Sequence, residues 1–335
     1  MKRLFWILTI FFSLMTFLRN SVWKNEYAFL TDVIHKSPHK ARPHNNLGAA
    51  YAMNGRYEDA VRELNAALLI DPLYPEAHNN LGGVYKRMGL ISKAITEFKA
   101  AILIGPDFPQ ARANLGFAYI DAGLFEKARA ELDIAIKQNP DLADGYNNLC
   151  LLNMREGRLE EAMDHCQTAV RLNPDIAEAY HNIGVIYASK GLIDDAIREF
   201  ETAISLRPYL AEAYNSLGEL YIKKGFTQQA LFQFQTALRL KPDYPEAHYG
   251  LGVVYSGRGR VEEALKEFNE ALILKPGYPE PHNGIGLTYL KQNKIYEAIE
   301  EFRVALKLKP NFAEAHRNLG FAYSKRDKWD YAIAE

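Results

Sequence analysis

The stretch AEAYHNIGVIYASKGLIDDAIREFETAISLRP at 177–208 returns along the chain at a spacing of 34 residues, and this period constrains the fold more than any other feature. A Gly-x-x-Tyr marker recurs from Gly48/Tyr51 to Gly320/Tyr323 and lapses only where Cys150 and Asn153 stand instead. An alanine follows twelve residues after the marker position, from Ala60 to Ala332, and a proline closes each copy, from Pro72 to Pro310. A strict period of this length builds a stack of identical small units, each contacting its neighbours, rather than one globular core.

One unit explains its own spacing. Ile183, Val185, Ile186 and Tyr187 lie along one side of a first helix, which Gly191 ends because glycine enters turn conformations without steric cost. Asp194 and Asp195 suit the start of a second helix, where carboxylates meet unpaired N–H groups and the positive dipole end. Ala196, Phe200, Ala203 and Ile204 give that helix an apolar stripe, and Pro208 blocks its continuation. The predicted unit is an antiparallel helical hairpin. Gly184 and Ala196 are small because the helices must approach closely there, so a larger side chain would overpack by roughly 1–3 kcal/mol.

Gly, Tyr, Ala, Phe/Leu, Ala and Pro at these offsets resemble the tetratricopeptide repeat. Eight whole copies begin at Ala41, Pro75, Pro109, Ala143, Ala177, Ala211, Pro245 and Pro279, and a truncated ninth begins at Ala313, so the array runs over 41–335. The resemblance implies an all-α fold, a right-handed superhelical solenoid of helix-turn-helix repeats, whose concave groove binds protein or peptide segments. The fourth repeat position departs from the family's usual tryptophan, holding His78, Tyr180 and His248 among others. The array breaks off three residues after Ala332, an arrangement expected either to continue or to dock on something.

Residues 1–20 are unlike the rest. Lys2 and Arg3 precede an uncharged run from Leu4 to Leu18, which reads as a membrane anchor or signal-anchor, as a cleaved signal, or as a buried helix. The anchor reading is preferred because no small residues stand where cleavage would fall, although a full span takes about 20 residues. Lys2, Arg3, Arg19 and Trp6 suit the interfaces. The expectation is a membrane-anchored protein with its repeats on the extracytoplasmic (periplasmic) side. Residues 21–40 carry a half-repeat: Trp23, Tyr27, Leu30 and Ile34 form an apolar helical face, and this lone helix is expected to cap the stack. The stretch from Trp23 also resembles the junction in bacterial membrane glycosyltransferase-like proteins, which makes a substrate-recruiting portion of a membrane O-glycosyltransferase system the alternative function.

The charge balance, 40 Lys+Arg against 41 Asp+Glu, lacks the basic excess of a nucleic-acid partner. No phosphate loop, nucleophile elbow or zinc signature occurs, so the expected role is a non-catalytic interaction scaffold with no cofactor and no metal. Cys150 and Cys166 occupy two packing positions of one hairpin and are expected to be buried neighbours in the reduced state, a disulfide being the alternative. His44, His78, His248, His282 and His316 share one repeat position and are assigned to packing or surface polarity.

Candidate ligand residues lie on the first helices, which line the concave face in this family. Asn46, Asn80, Asn114, Asn148, Asn182 and Asn318 share one position despite the poor helix propensity of asparagine. The series lapses at Ser216, Gly250 and Gly284. Such a ladder resembles that of the O-linked N-acetylglucosamine transferases, which implies amides holding a peptide backbone; the competing reading is that they bridge adjacent helices. Arg87, Arg155, Lys223 and Lys291 give the face a basic edge opposite Glu76, Glu178, Glu212, Glu246 and Glu280. The carboxylate clamp of chaperone-tail binders is absent, since the position after the marker holds Ala49, Gly83, Phe117, Leu151, Val185, Glu219, Val253, Leu287 and Phe321.

Overall fold

The protein, seen in a computed structural model that describes residues 26–325, is all-α, with no strand among the described residues. It forms two compact units, 1–174 and 175–335. In the first unit α1 (Glu26–Lys36) precedes four hairpins: α2 (Ala41–Met53) with α3 (Tyr57–Ile70), α4 (Pro75–Arg87) with α5 (Ile91–Ile104), α6 (Pro109–Asp121) with α7 (Phe125–Gln138), and α8 (Ala143–Arg155) with α9 (Leu159–Leu172). In the second unit the pairs are α10 (Ala177–Ser189) with α11 (Ile193–Leu206), α12 (Ala211–Lys223) with α13 (Thr227–Leu240), α14 (Pro245–Gly257) with α15 (Val261–Leu274), and α16 (Pro279–Lys291) with α17 (Ile295–Leu308). They are followed by α18 (Ala313–Lys325). Inside each unit successive hairpins stack in a solenoid-like row, and each first helix touches the next first helix.

The turns follow from backbone chemistry. Gly191 adopts φ 77°, a left-handed conformation that an L side chain rarely takes, and the other early repeats use glycine at the same register. In the eighth repeat Asn293 stands there at φ 61°, tolerable because asparagine is among the few residues that enter this region. The marker glycine serves a different need. A Cβ on Gly184 would lie 2.6 Å from Phe200 Cε1, and one on Gly116 would lie 2.6 Å from Leu132 Cγ, so the second helix drives a large side chain against bare backbone. Phe200 is 1% exposed, flanked by Ala196 and Ala203 at 0%, which makes this contact the centre of the hairpin core.

Repeat four replaces that contact with a covalent bond. Cys150 and Cys166 are joined in a disulfide, with Cα atoms 5.3 Å apart and both residues at 0% exposure. The expectation of buried neighbours holds, but the expectation of reduced thiols is corrected. The positions that elsewhere bring glycine against an aromatic or leucine side chain bring two cysteine side chains within bonding reach. Asn153, in place of the marker tyrosine, is fully buried beside them. It accepts from Arg129 Nη2 at 2.7 Å and from Arg158 Nη2 at 3.2 Å, and its Nδ2 meets His165 Nδ1 at 3.0 Å.

At the first end of the stack α1 lays Leu30 against Leu47 and Ala50 of α2. Tyr27 stacks on Tyr51 with ring centroids 5.2 Å apart and donates to the Ala50 carbonyl at 3.1 Å. Trp23, the anchor expected at 4–18 and the second helix of the ninth repeat with Ala332 lie outside the described residues. Among the described residues no helix is long and apolar enough to cross a membrane.

Candidate ligand-binding face of the first helices

In the first unit the asparagines join adjacent first helices. Asn80 Nδ2 donates to Asn45 Oδ1 at 2.9 Å, Asn114 Nδ2 to Asn79 Oδ1 at 2.9 Å, and Asn148 Nδ2 to the Ala113 carbonyl at 3.1 Å. Each bond spans one repeat and satisfies a polar atom that packing would otherwise strand. Asn46 is exposed, whereas Asn80 and Asn114 are half-buried and Asn148 is buried. Beside them opens a concave pocket of about 910 Å³ lined by Lys40, Arg42, Asn46, Asp71, Glu76 and Asn80, among others. It lies at the starts of α2, α4 and α6, so both charge signs and spare amide groups face one cavity.

The four expected cations divide. Arg87 Nη1 donates to the Ala52 carbonyl at 3.3 Å and Lys291 Nζ to the Ser256 carbonyl at 2.8 Å, each reaching back to the last turn of the preceding first helix. There a cation meets the negative end of the helix dipole. Arg155 and Lys223 are exposed, with their charges acting on Asp121 and Glu219 respectively. Lys86, which the sequence reading passed over, lies 3.4 Å above the Phe117 ring centroid. Burial pushes its ammonium down to about 8, while Asp121 acts in the opposite direction.

The shared histidines have a defined task within each hairpin. His44, His78, His248 and His282 meet Glu63, Glu97, Glu267 and Glu301 through Nδ1 at 2.8, 2.7, 2.6 and 2.7 Å. Arg112 takes the same part toward Glu131 at 2.8 Å. His248 Nε2 also donates to the Pro242 carbonyl at 3.0 Å, so both ring nitrogens face acceptors and the imidazolium is favoured. Burial alone would lower its pKa, but Glu267 and the carbonyl outweigh that and raise it. The available signal was a glutamate nineteen residues after each of these histidines. No group of three or more His, Cys, Asp or Glu able to hold a metal occurs among the described residues.

The second unit uses the same register with different chemistry. Asn182 is buried and bonds the His181 ring, whose Nε2 meets Ser216 Oγ at 3.1 Å; burial lowers the His181 pKa. Asn318 Nδ2 donates to Asn283 Oδ1 at 2.9 Å. Between these seams Asn215 donates to Glu219 Oε1 at 2.8 Å, and Tyr249 meets Tyr278 edge-on with centroids 5.6 Å apart. Burial, reinforced by Glu314, Glu280 and Glu219, pushes the Tyr249 phenol up to about 12.

Antiparallel helix pairs of constant length at a constant spacing define a helical-hairpin repeat protein. Sequence models of the tetratricopeptide repeat match residues 41–66, 54–89, 85–149, 154–191, 186–225, 215–279 and 288–326, and the chain belongs to the tetratricopeptide repeat family. A comparison with curated proteins gave no match. Among solved structures, the APC/C hetero-tetramer Cut9-Hcn1 is similar at a TM-score of 0.71 and 21% identity, over 79% of this chain and 52% of that one. The chain thus spans about half the length of that relative. YrrB, a TPR protein with an unusual peptide-binding site, is similar at a TM-score of 0.43 and 26% identity, over 55% of this chain and 95% of that one. Proteins of this repeat family generally act as protein-interaction scaffolds.

Proposed function

We infer that the first helices within each unit line a groove that binds extended segments of partner proteins. The observation that carries this reading is the pocket at the starts of α2, α4 and α6, where Lys40 and Arg42 stand with Asp71 and Glu76 around Asn46 and Asn80. An extended backbone offers both donors and acceptors, and an amide that uses one N–H in an inter-helix bridge keeps a second N–H and carbonyl capacity. The buried state of Asn148 and Asn182 confines backbone recognition to Asn46, Asn80 and Asn114. Arg155 in the first unit and Lys223 in the second each supply charge on the first helices of their own unit, while Arg87 and Lys291 are committed to neighbouring helix ends.

Residues 4–18 tether the chain to a membrane in this proposal, with the repeats on the extracytoplasmic side. The oxidised Cys150–Cys166 pair supports that side, because disulfides persist in oxidising compartments. Fractionation of the full chain against a variant lacking 1–20 tests the tether; equal recovery from membranes would remove it. The groove is tested by selecting a random dodecapeptide library on the full chain and mapping the binders by hydrogen exchange. Protection of α2, α4 and α6 is expected. Binders that protect only second helices would overturn the groove.

A further inference from the structure

The hairpins of the second unit close on one repeated ion pair. The glutamate at the second position of each first helix meets a cation at the end of the second helix: Glu178 with Arg207, Glu212 with Lys241 at 3.5 Å, Glu246 with Lys275 at 2.9 Å and Glu280 with Lys309 at 3.2 Å. The first unit keeps these positions and breaks the pair. Glu76 opens α4 in the same way, but the residue at the end of α5 is Gly105, which has no side chain to offer. In the first hairpin the signs are exchanged, with Arg42 near the start of α2 and Asp71 at the end of α3. These two do not join; Asp71 Oδ1 instead accepts the Leu73 N–H at 3.0 Å.

The charges left over line one open cavity, the pocket of about 910 Å³ at the starts of α2, α4 and α6. Lys40, Arg42 and Glu76 are exposed there, and none of the three forms an ion pair among the described residues. On the α2 side, Lys40 and Arg42 stand at a helix start whose first turn holds no acidic residue, and the positive end of the helix dipole adds to them. That side attracts an anion. On the α4 side, Glu76 lacks the cation that four other hairpins set against the same glutamate. That side attracts a cation. The exposed Asn46 amide lines the same cavity and offers both donors and an acceptor to a backbone.

The two charge sites lie on neighbouring first helices, and the axes of packed helices are about 8–10 Å apart. An extended chain in the polyproline II conformation rises about 3.1 Å per residue with about three residues per turn, so residues i and i+3 face one side about 9 Å apart. We propose that the first two repeats select an extended protein segment carrying one acidic and one basic side chain about three residues apart. The acidic group docks on Lys40 and Arg42. The basic group takes beside Glu76 the place that Arg207, Lys241, Lys275 and Lys309 take elsewhere in the array. A segment of one sign would be repelled at one of the two helix starts, and a neutral segment would leave both charges unpaired. This selectivity rests on the groove proposed above and names the side-chain chemistry that the groove accepts.

The test titrates the full chain by calorimetry with capped Gly/Ser dodecapeptides that carry two further residues three positions apart: Glu and Lys in either order, Glu and Glu, Lys and Lys, or Gln and Gln. The mixed peptide in its better order is expected to bind at least about tenfold more tightly than the others, with the preference shrinking as salt screens the charges. On Glu76→Lys the Glu/Glu peptide should become the tightest, and on Lys40→Glu/Arg42→Glu the Lys/Lys peptide should. Glu280→Gln in the second unit should leave the original ranking intact. Thermal melts identify any variant that has lost its fold, and hydrogen-exchange protection of α2 and α4 by the mixed peptide supplies a readout on the unaltered chain. Equal binding of all the peptides, or a ranking that Glu76→Lys leaves unchanged, overturns the charge pair and leaves the groove standing. Failure of every designed peptide, when the dodecapeptide library still yields binders that protect α2 and α4, does the same. A library that yields no binder removes the groove and the charge pair with it.

Discussion

Replacing Asn80, Asn114 and Asn148 together with alanine separates a structural ladder from a ligand-holding one. Each loses a bond to the preceding repeat, at 2.9, 2.9 and 3.1 Å. Asn45 is 6% exposed and Ala113 is 0% exposed, so two of the abandoned acceptors are out of reach of water. A stranded buried acceptor costs about 1–3 kcal/mol, whereas the half-buried Asn79 loses only an ordinary bond of about 1 kcal/mol. Alanine recovers up to about 0.7 kcal/mol of helix propensity at each site. The net loss is about 1–5 kcal/mol, and at roughly 2–4 °C per kcal/mol the first unit should melt about 2–20 °C earlier. The assay is a thermal melt by circular dichroism, with hydrogen exchange of α2, α4, α6 and α8 to locate the change. Asn46→Ala, at an exposed position, should shift stability by no more than about 0.5 kcal/mol. An unchanged melt in the triple variant, accompanied by lost peptide binding, would refute the inter-helix bridging argument.

Thiol reagents should label neither Cys150 nor Cys166 in the folded chain, and both only after denaturation with reductant; native labelling would contradict the buried disulfide. Replacing both cysteines with alanine should destabilise the α8/α9 hairpin by about 3 kcal/mol, the entropy of a closed loop of this length, measured by denaturant unfolding. The raised pKa of His248 makes its pairing fully stabilising below its unfolded value of about 6.5 and lost as pH rises through the folded value. Exchange in α14 and α15 should therefore quicken from mildly acidic to alkaline pH, and His248→Gln should flatten that dependence. Lys86 should titrate near 8, as followed by magnetic resonance of isotopically methylated lysines, and a value in the ordinary lysine range would contradict its burial.

Much of the local fold can be read from residues that solve a steric problem alone. Gly191 is legible because only a few residue types take its turn, and Gly184 because Phe200 needs bare backbone opposite. The histidines were less legible, since a residue at one helix position does not announce a glutamate on the partner helix. Once the hairpin is known, Glu63, Glu97, Glu267 and Glu301 at a fixed offset make the pairing plain. The asparagine series was visible, but its direction was not. Whether an amide faces a ligand or the next helix depends on the register between repeats, which no single repeat encodes. The oxidation of Cys150 and Cys166 turned on a distance that spacing permits without fixing.

The disulfide also sets how this protein answers a pulling force. A repeat array drawn from its ends unravels hairpin by hairpin, because each hairpin is held mainly by its neighbours. A hairpin released in full adds its whole extended length to the tether at about 3.3–3.6 Å per residue. With Cys150 joined to Cys166, the sixteen steps between them stay out of the load path. The fourth hairpin should therefore extend about 50 Å less than the others. Reduction would restore the missing length, so a force trace would record the redox state of this hairpin as one short step among longer ones.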